Sequence, residues 1–348
     1  MKSYDIATIG GGLGGSALAK SMAERGYRVL VVEGTTAFKD RIRGEQLASW
    51  GSAEAKELGL YDLLLESNGN EMVWWDIYVG AGRIAHRDLT ATTPSRLPNL
   101  SFFHPEMQEA LIDAAATAGA EVRRGARVTA AKPGADPEVT VEWDGGSETV
   151  SCRMVVACDG RNSGARRWGG FERRRDEDRL QIAGLLFEGM EIEADTARLS
   201  FNFVESQGAL LFPQGGGRVR SYIASWKALH PRLQGEGAKG QFVEQAKKAG
   251  LPAETFEGAV PVGPLATFDG ADAWVDHPYK EGVALIGDAA ASSDPSWGQG
   301  LALTTRDVRV LTEELKATDD WDAAGHAYAM EHDRHFGVVH QLSNWMSE

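Results

Sequence analysis

"YDIATIGGGLGGSALAKSMAERGYRVLVVE", residues 4–33, decides the fold. It opens with a short apolar run ending in glycine, which reads as a strand. Leu13, Ala17, Leu18 and Met22 then recur at helical spacing, and Gly26 suits a helix C-terminus. Residues 27–33 read as a second strand. The glycines fit G-x-G-x-x-G as Gly10, Gly12 and Gly15. The first permits a tight turn, the second lets backbone approach a pyrophosphate, and the third lets the helix pack against the sheet. The helix start then offers free N–H groups to phosphate. Glu33 closes the second strand, 18 residues after Gly15, where a carboxylate can accept from both ribose hydroxyls. Strand, glycine loop, helix, strand and acid in this order indicate a dinucleotide-binding unit. NAD and FAD both present an ADP half, so this unit does not separate them.

Two later stretches do. "RMVVACDGRNSGARR" (153–167) is a strand that stops at Asp159-Gly160 before an arginine-rich helix start. "GVALIGDAA" (282–290) stops in the same way at Gly287-Asp288. With Gly10, Gly12, Gly15 and Glu33, these resemble the three-part signature of the class A FAD-dependent flavoprotein monooxygenases, the p-hydroxybenzoate hydroxylase type. The resemblance covers the whole chain. It implies an α/β fold: a Rossmann-like FAD-binding domain (GR2-type) with an inserted antiparallel-sheet substrate domain. The expected division is 1–70, 98–172 and 276–348 for FAD, and 71–97 with 173–275 for substrate.

The resemblance also implies roles. Asp288 binds the ribityl chain. Asp159 organises FAD and a transient NADH or NADPH, with Arg161 and Arg166 nearby. "RIRGEQL" (41–47) is similar to the family's flavin-contacting loop, with Arg43 the candidate over Arg41. Gln108, in a helix following "SFFHP", is the candidate contact to flavin phosphate or ribityl; His104 is read only as a residue at that helix start. Pro295 stiffens a loop beside the flavin. Gly298 and Gly300 let backbone approach the isoalloxazine. The helix through Leu301 directs its positive end to the flavin N1 edge. O2 is the co-substrate, acting through a flavin C4a-hydroperoxide, and the substrate is a small organic molecule, aromatic or polyketide-like. The residues suggest no base to activate it.

Residues 71–89 read as strands around Gly80-Ala81-Gly82. Residues 173–275 are mostly strands, with Gly215-Gly216-Gly217 a hairpin turn because no helix follows. Trp74, Trp75, Phe201, Phe203, Phe212, Pro213 and Trp226 are the pocket candidates, with core packing the alternative for each. The charged stretch 171–180 reads as a solvated connector.

Composition agrees with a globular enzyme: 43% hydrophobic, 25% charged. A net charge of −14 disfavours nucleic acid as a partner. Cys152 and Cys158 lie on one strand, too far apart to bridge, and read as core thiols. No disulfide and no leader layout suggest the cytoplasm, and no apolar run is long enough to span a membrane. His332 and His335 share a helical face without a third ligand, so no metal is expected there.

Three rivals share related folds: a flavin-dependent reductase of the geranylgeranyl type, a flavin-dependent halogenase, and a non-enzymatic binding protein such as the Rab escort group. The halogenase family's lysine and W-x-W-x-I-P motif have no match, since no lysine lies between Glu57 and Ala131. The intact GD motif argues against the binding protein.

Overall fold

The computed structural model describes residues 2–42, 44–80 and 82–347. Five parallel strands form its centre, in the spatial order Val283–Leu285, Gly146–Ala157, Ser3–Ile9, Val29–Glu33 and Glu121–Arg124. These strands are apolar on both faces because both are covered, one by long helices and the other mainly by the antiparallel strands Glu138–Trp143 and Arg127–Lys132. Ile6, Val29, Val31, Met154 and Val156 pack with the helices Leu13–Ala23, His104–Thr117 and Gly300–Ala317 on one side. Ala7, Leu30, Val155 and Leu285 pack on the other. Glu138–Trp143 and Arg127–Lys132 extend the long strand Gly146–Ala157 as an antiparallel meander.

A second sheet has seven strands, ordered Val260–Gly270, Leu180–Glu188, Arg218–Trp226, Gln207–Gln214, Thr196–Asn202, Trp74–Val79 and Gly82–Asp88. It is antiparallel except where Thr196–Asn202 runs parallel to Trp74–Val79. Gly215–Gly217 forms the turn of a hairpin, with Gly216 and Gly217 at φ of 73° and 74°. Strand alternation divides this sheet's residues. Ala183, Leu185, Ala209, Leu211 and Ile223 pack against the helix Ala238–Lys248. Ile182, Leu210, Phe212 and Tyr222 face the other way, toward the parallel-sheet layer.

Candidate active site

Between the two layers lies a cavity of about 1140 Å³. The carboxyl ends of three parallel strands open into it, as the topology of such sheets dictates. From the first strand come Gly10 and Gly12; from the second, Glu33; from the long strand, Cys158 and Asp159. Gly10 sits at φ 102°, and a Cβ there would lie 2.6 Å from the Cys158 carbonyl oxygen. Gly15 does not line the cavity. A Cβ on it would overlap the Gly10 carbonyl and lie 2.6 Å from Cys158 Sγ, so its absence is what seats the helix on the sheet. Cys152 is buried, whereas Cys158 is half-buried under the glycine loop, its Sγ donating to the Gly10 carbonyl at 3.1 Å. Burial raises both thiol pKa values, that of Cys152 to about 12.

Glu33 is already engaged. Its Oε2 accepts from Gly11 N, and its Oε1 from Thr35 N and Oγ1, each at 2.8 Å. Each oxygen keeps acceptor capacity. Gln108 stands beside the loop: a Cβ on Gly12 would lie 3.3 Å from its Nε2.

Asp159 caps the five-residue helix Gly164–Trp168, its Oδ2 accepting from Gly164 N at 2.7 Å and Ala165 N at 3.3 Å. Its Oδ1 is buried without a partner. Arg161 Nε donates to Asp288 Oδ2 at 3.2 Å, and buried Arg166 donates to the carbonyls of Asp288 and Ala289 and to that of Arg161. The DG and GD turns are therefore clamped together by arginine.

Past Asp288, the chain passes Pro295 and reaches the 18-residue helix Gly300–Ala317. Gly298 takes φ 65°, and a Cβ there would lie 2.6 Å from Gln46 Oε1. Gln299 fixes this turn, accepting from Trp50 Nε1 at 2.8 Å and donating to the Trp297 carbonyl at 2.6 Å. Pro295, Gly298, Gly300 and Leu301 all line the cavity. Ser293 Oγ, Ser296 Oγ and Trp297 Nε1 line it as well, buried and without partners. A long cavity lined by glycines at one end and unsatisfied polar atoms at the other fits FAD, from its pyrophosphate to its ring.

Arg43 lies outside the described residues. Next to it, Gly44 has φ 62°, and His104 Nδ1 donates to its carbonyl at 2.8 Å, so His104 pins the flavin-loop candidate in addition to starting a helix.

Of the pocket candidates, Trp75, Phe201, Phe203, Phe212 and Trp226 line the cavity. Trp74 and Pro213 fall on the opposite strand parity: Trp74 stacks on His86 at 4.3 Å, and the Pro213 carbonyl accepts from Ser101 and Asn70.

Two charged networks are not apparent from motifs. Arg220 is fully buried on an inward strand position. Its Nη2 donates to Asp40 at 2.9 Å and to Glu45 Oε1 at 2.7 Å, and Tyr222 Oη donates to Glu45 Oε2 at 2.5 Å. Burial lowers the Arg220 pKa, but the facing carboxylates outweigh it and keep the guanidinium charged. Burial likewise pushes the Glu45 carboxyl up, against the pull of Arg220. The only sequence signal is an arginine in phase with inward-facing Tyr222. The second network lies beneath the GD turn. Asp307 Oδ2 accepts from Gly287 N and Oδ1 from His332 Nδ1, both at 2.8 Å. Asp307 shares a helix face with buried Leu303 and Leu311, and an acid on an apolar stripe is the signal that could have found it.

The comparisons with known proteins agree with this geometry. A family model described as "FAD binding domain" matches residues 3–331. Rifampicin monooxygenase of Streptomyces venezuelae is 27% identical over 98% of this chain and 70% of its own length. A digeranylgeranylglycerophospholipid reductase of Methanosphaerula palustris is 28% identical over 86% of this chain and 72% of its own. Among solved structures, the flavin-dependent brominase Bmp2 superposes with a TM-score of 0.82 at 17% identity, covering 99% of this chain and 87% of its own, a likeness of fold alone. The glycine loop, the clamped DG and GD turns and the family match together make this chain a member of the FAD binding domain family, the FAD-dependent oxidoreductases of the class A monooxygenase type.

Proposed function

We propose that this protein is an NAD(P)H-dependent monooxygenase acting on a neutral, largely apolar organic molecule. The observation that carries the substrate class is the lining contributed by the seven-stranded sheet. Trp75, Leu180, Ile182, Phe201, Leu210 and Phe212 dominate it; Gln207 and Ser225 are among its polar members; none of its described members is charged. Of the charged groups lining the cavity, Arg127, Arg161 and Asp288 belong to the parallel-sheet layer, whereas Glu45 reaches the seven-stranded sheet and is already engaged there by Arg220 and Tyr222. An ionised substrate would enter the apolar side without a counter-charge, at a cost of several kcal/mol.

In this reading residues 1–70, 98–172 and 276–348 hold the flavin, and 71–97 with 173–275 hold the substrate. Gly10 and Gly12 would leave room for the pyrophosphate, Glu33 would accept from ribose, Gln108 would contact phosphate or ribityl, and Asp288 would bind the ribityl chain. Gly298, Gly300, Leu301 and the N-terminus of the helix Gly300–Ala317 would hold the flavin ring, where the helix dipole favours negative charge. Asp159 and Arg161 sit where NAD(P)H would approach. FAD supplies hydride acceptance and O2 activation when bound. Trp75 Nε1 and Gln207 Oε1, buried without partners on the substrate side, are free to orient a carbonyl or hydroxyl. The apolar wall excludes water. The net reaction consumes substrate, O2, NAD(P)H and a proton; one oxygen atom enters the product and the other leaves as water.

The test is turnover of neutral polycyclic aromatic, quinone and polyketide compounds under isotopically labelled O2. One labelled oxygen in the product is expected, with carboxylate analogues showing a KM at least about tenfold higher. The same apolar wall also suits a prenyl chain, so reduction of a prenyl double bond under anaerobic conditions, without labelled product in air, would place the protein with the reductases instead.

A further inference from the structure

Away from the flavin cavity, three segments bring metal-ligating groups together. Asp176 follows the strand Arg174–Arg175, Asp272 precedes the strand Ala273–Trp274, and His340 projects from the helix Trp321–Ser347. One donor atom of each lies within 4.8 Å of the others. His340 Nε2 donates to Asp176 Oδ2 at 2.8 Å, and the Asn344 amide lies 3.0 Å from the same nitrogen. Asp272 is the independent pointer to a ligand. It is 3% exposed, and although its Oδ1 accepts from Asp294 N at 2.5 Å, its Oδ2 is buried without any partner.

The charge balance is also uneven. Asp176 and buried Asp294 both bring negative charge to Asp272, and His340 is the balancing group there. A cation between the three ligands would satisfy the orphaned oxygen and offset the excess negative charge.

We infer that Asp176, Asp272 and His340 form a structural site for a divalent metal ion of the zinc or manganese type. Two carboxylate oxygens and one imidazole nitrogen suit such borderline ions better than calcium or magnesium, which take oxygen ligands. Solvent or the Asn344 side chain would complete the coordination. The small sheet that carries Asp272 also contains Ala291–Ser292, and Asp272 holds the backbone of Asp294, the residue before Pro295. A metal here ties the C-terminal helix to the root of the loop that faces the flavin cavity.

The experiment is calorimetric titration of chelator-treated, FAD-loaded protein with Zn2+ and Mn2+, paired with thermal unfolding. One equivalent of at least one ion should bind with a Kd of micromolar order. The Tm should rise by about 4 °C at a free metal concentration of about 100 times that Kd. Asp272→Asn and His340→Gln should each weaken binding by about 100-fold or more. His326→Gln, which alters a separate histidine pair with His277, should leave it unchanged. If Asp272→Asn fails to fold, as judged by circular dichroism and flavin content, the less buried His340→Gln decides. No binding up to millimolar metal, or binding that survives His340→Gln, overturns the site and leaves an ion pair only.

Discussion

Glu33 shows how much one side chain can organise. Three donors already converge on it, which aims its remaining lone pairs toward the cavity. Glu33→Ala removes charge-assisted bonds worth about 1.5–3 kcal/mol each, so FAD affinity should fall at least about tenfold in a flavin-fluorescence titration. Unchanged affinity would remove Glu33 from the ribose site. His332 makes a pH-dependent contribution. Burial lowers its pKa, but the Asp307 charge outweighs this and leaves it raised. A raised folded-state value means that the stabilisation is complete below the unfolded pKa of about 6.5 and is lost as pH rises through the folded value. Wild type should therefore lose more stability than His332→Gln between about pH 6 and about pH 9, read from urea midpoints. Residues of this kind were the least legible in sequence. Glu33 was found because a motif fixes its place; Asp307, Glu45 and Arg220 were not, because their partners lie 25, 175 and 180 positions away and no spacing encodes such pairs.

Local elements were far more legible. The strand–loop–helix–strand opening, the two strands ending at Asp159 and Asp288, and the Gly215–Gly217 hairpin all follow from period and turn chemistry acting over a few residues. What strand parity decides was less so, because a run rich in Trp and Phe does not announce which face is inward. That is why Trp74 and Pro213 stand off the cavity that Trp75 and Phe212 line. Glycines also differ in consequence. At Gly15 a Cβ meets rigid backbone; at Gly298 it meets only the flexible end of Gln46, in a left-handed conformation costing about 1–2 kcal/mol. Gly15→Ala should cost about 3 kcal/mol and most bound flavin, since the helix must lift from the sheet. Gly298→Ala should retain flavin with a smaller loss of Tm. Equal losses by calorimetry would mean that the Gly15 helix can shift without strain.

At the scale of the whole molecule, neither sheet is built from one stretch of chain. The parallel sheet begins with Ser3–Ile9 and receives Val283–Leu285 only near the other end of the sequence. The seven-stranded sheet joins Trp74–Val79 to Thr196–Asn202 across everything folded between them. Each closure is a contact of high order, so loop entropy must be spent on both before either layer is complete. The two layers should consequently melt as one cooperative unit, although they do different work. Circular dichroism and the fluorescence of released flavin should report the same denaturant midpoint, whereas two separated midpoints would mean that one layer survives alone. A protein wired in this way cannot relax its antiparallel wall without loosening its hold on the cofactor, so destabilising changes in that sheet should show as loss of yellow colour.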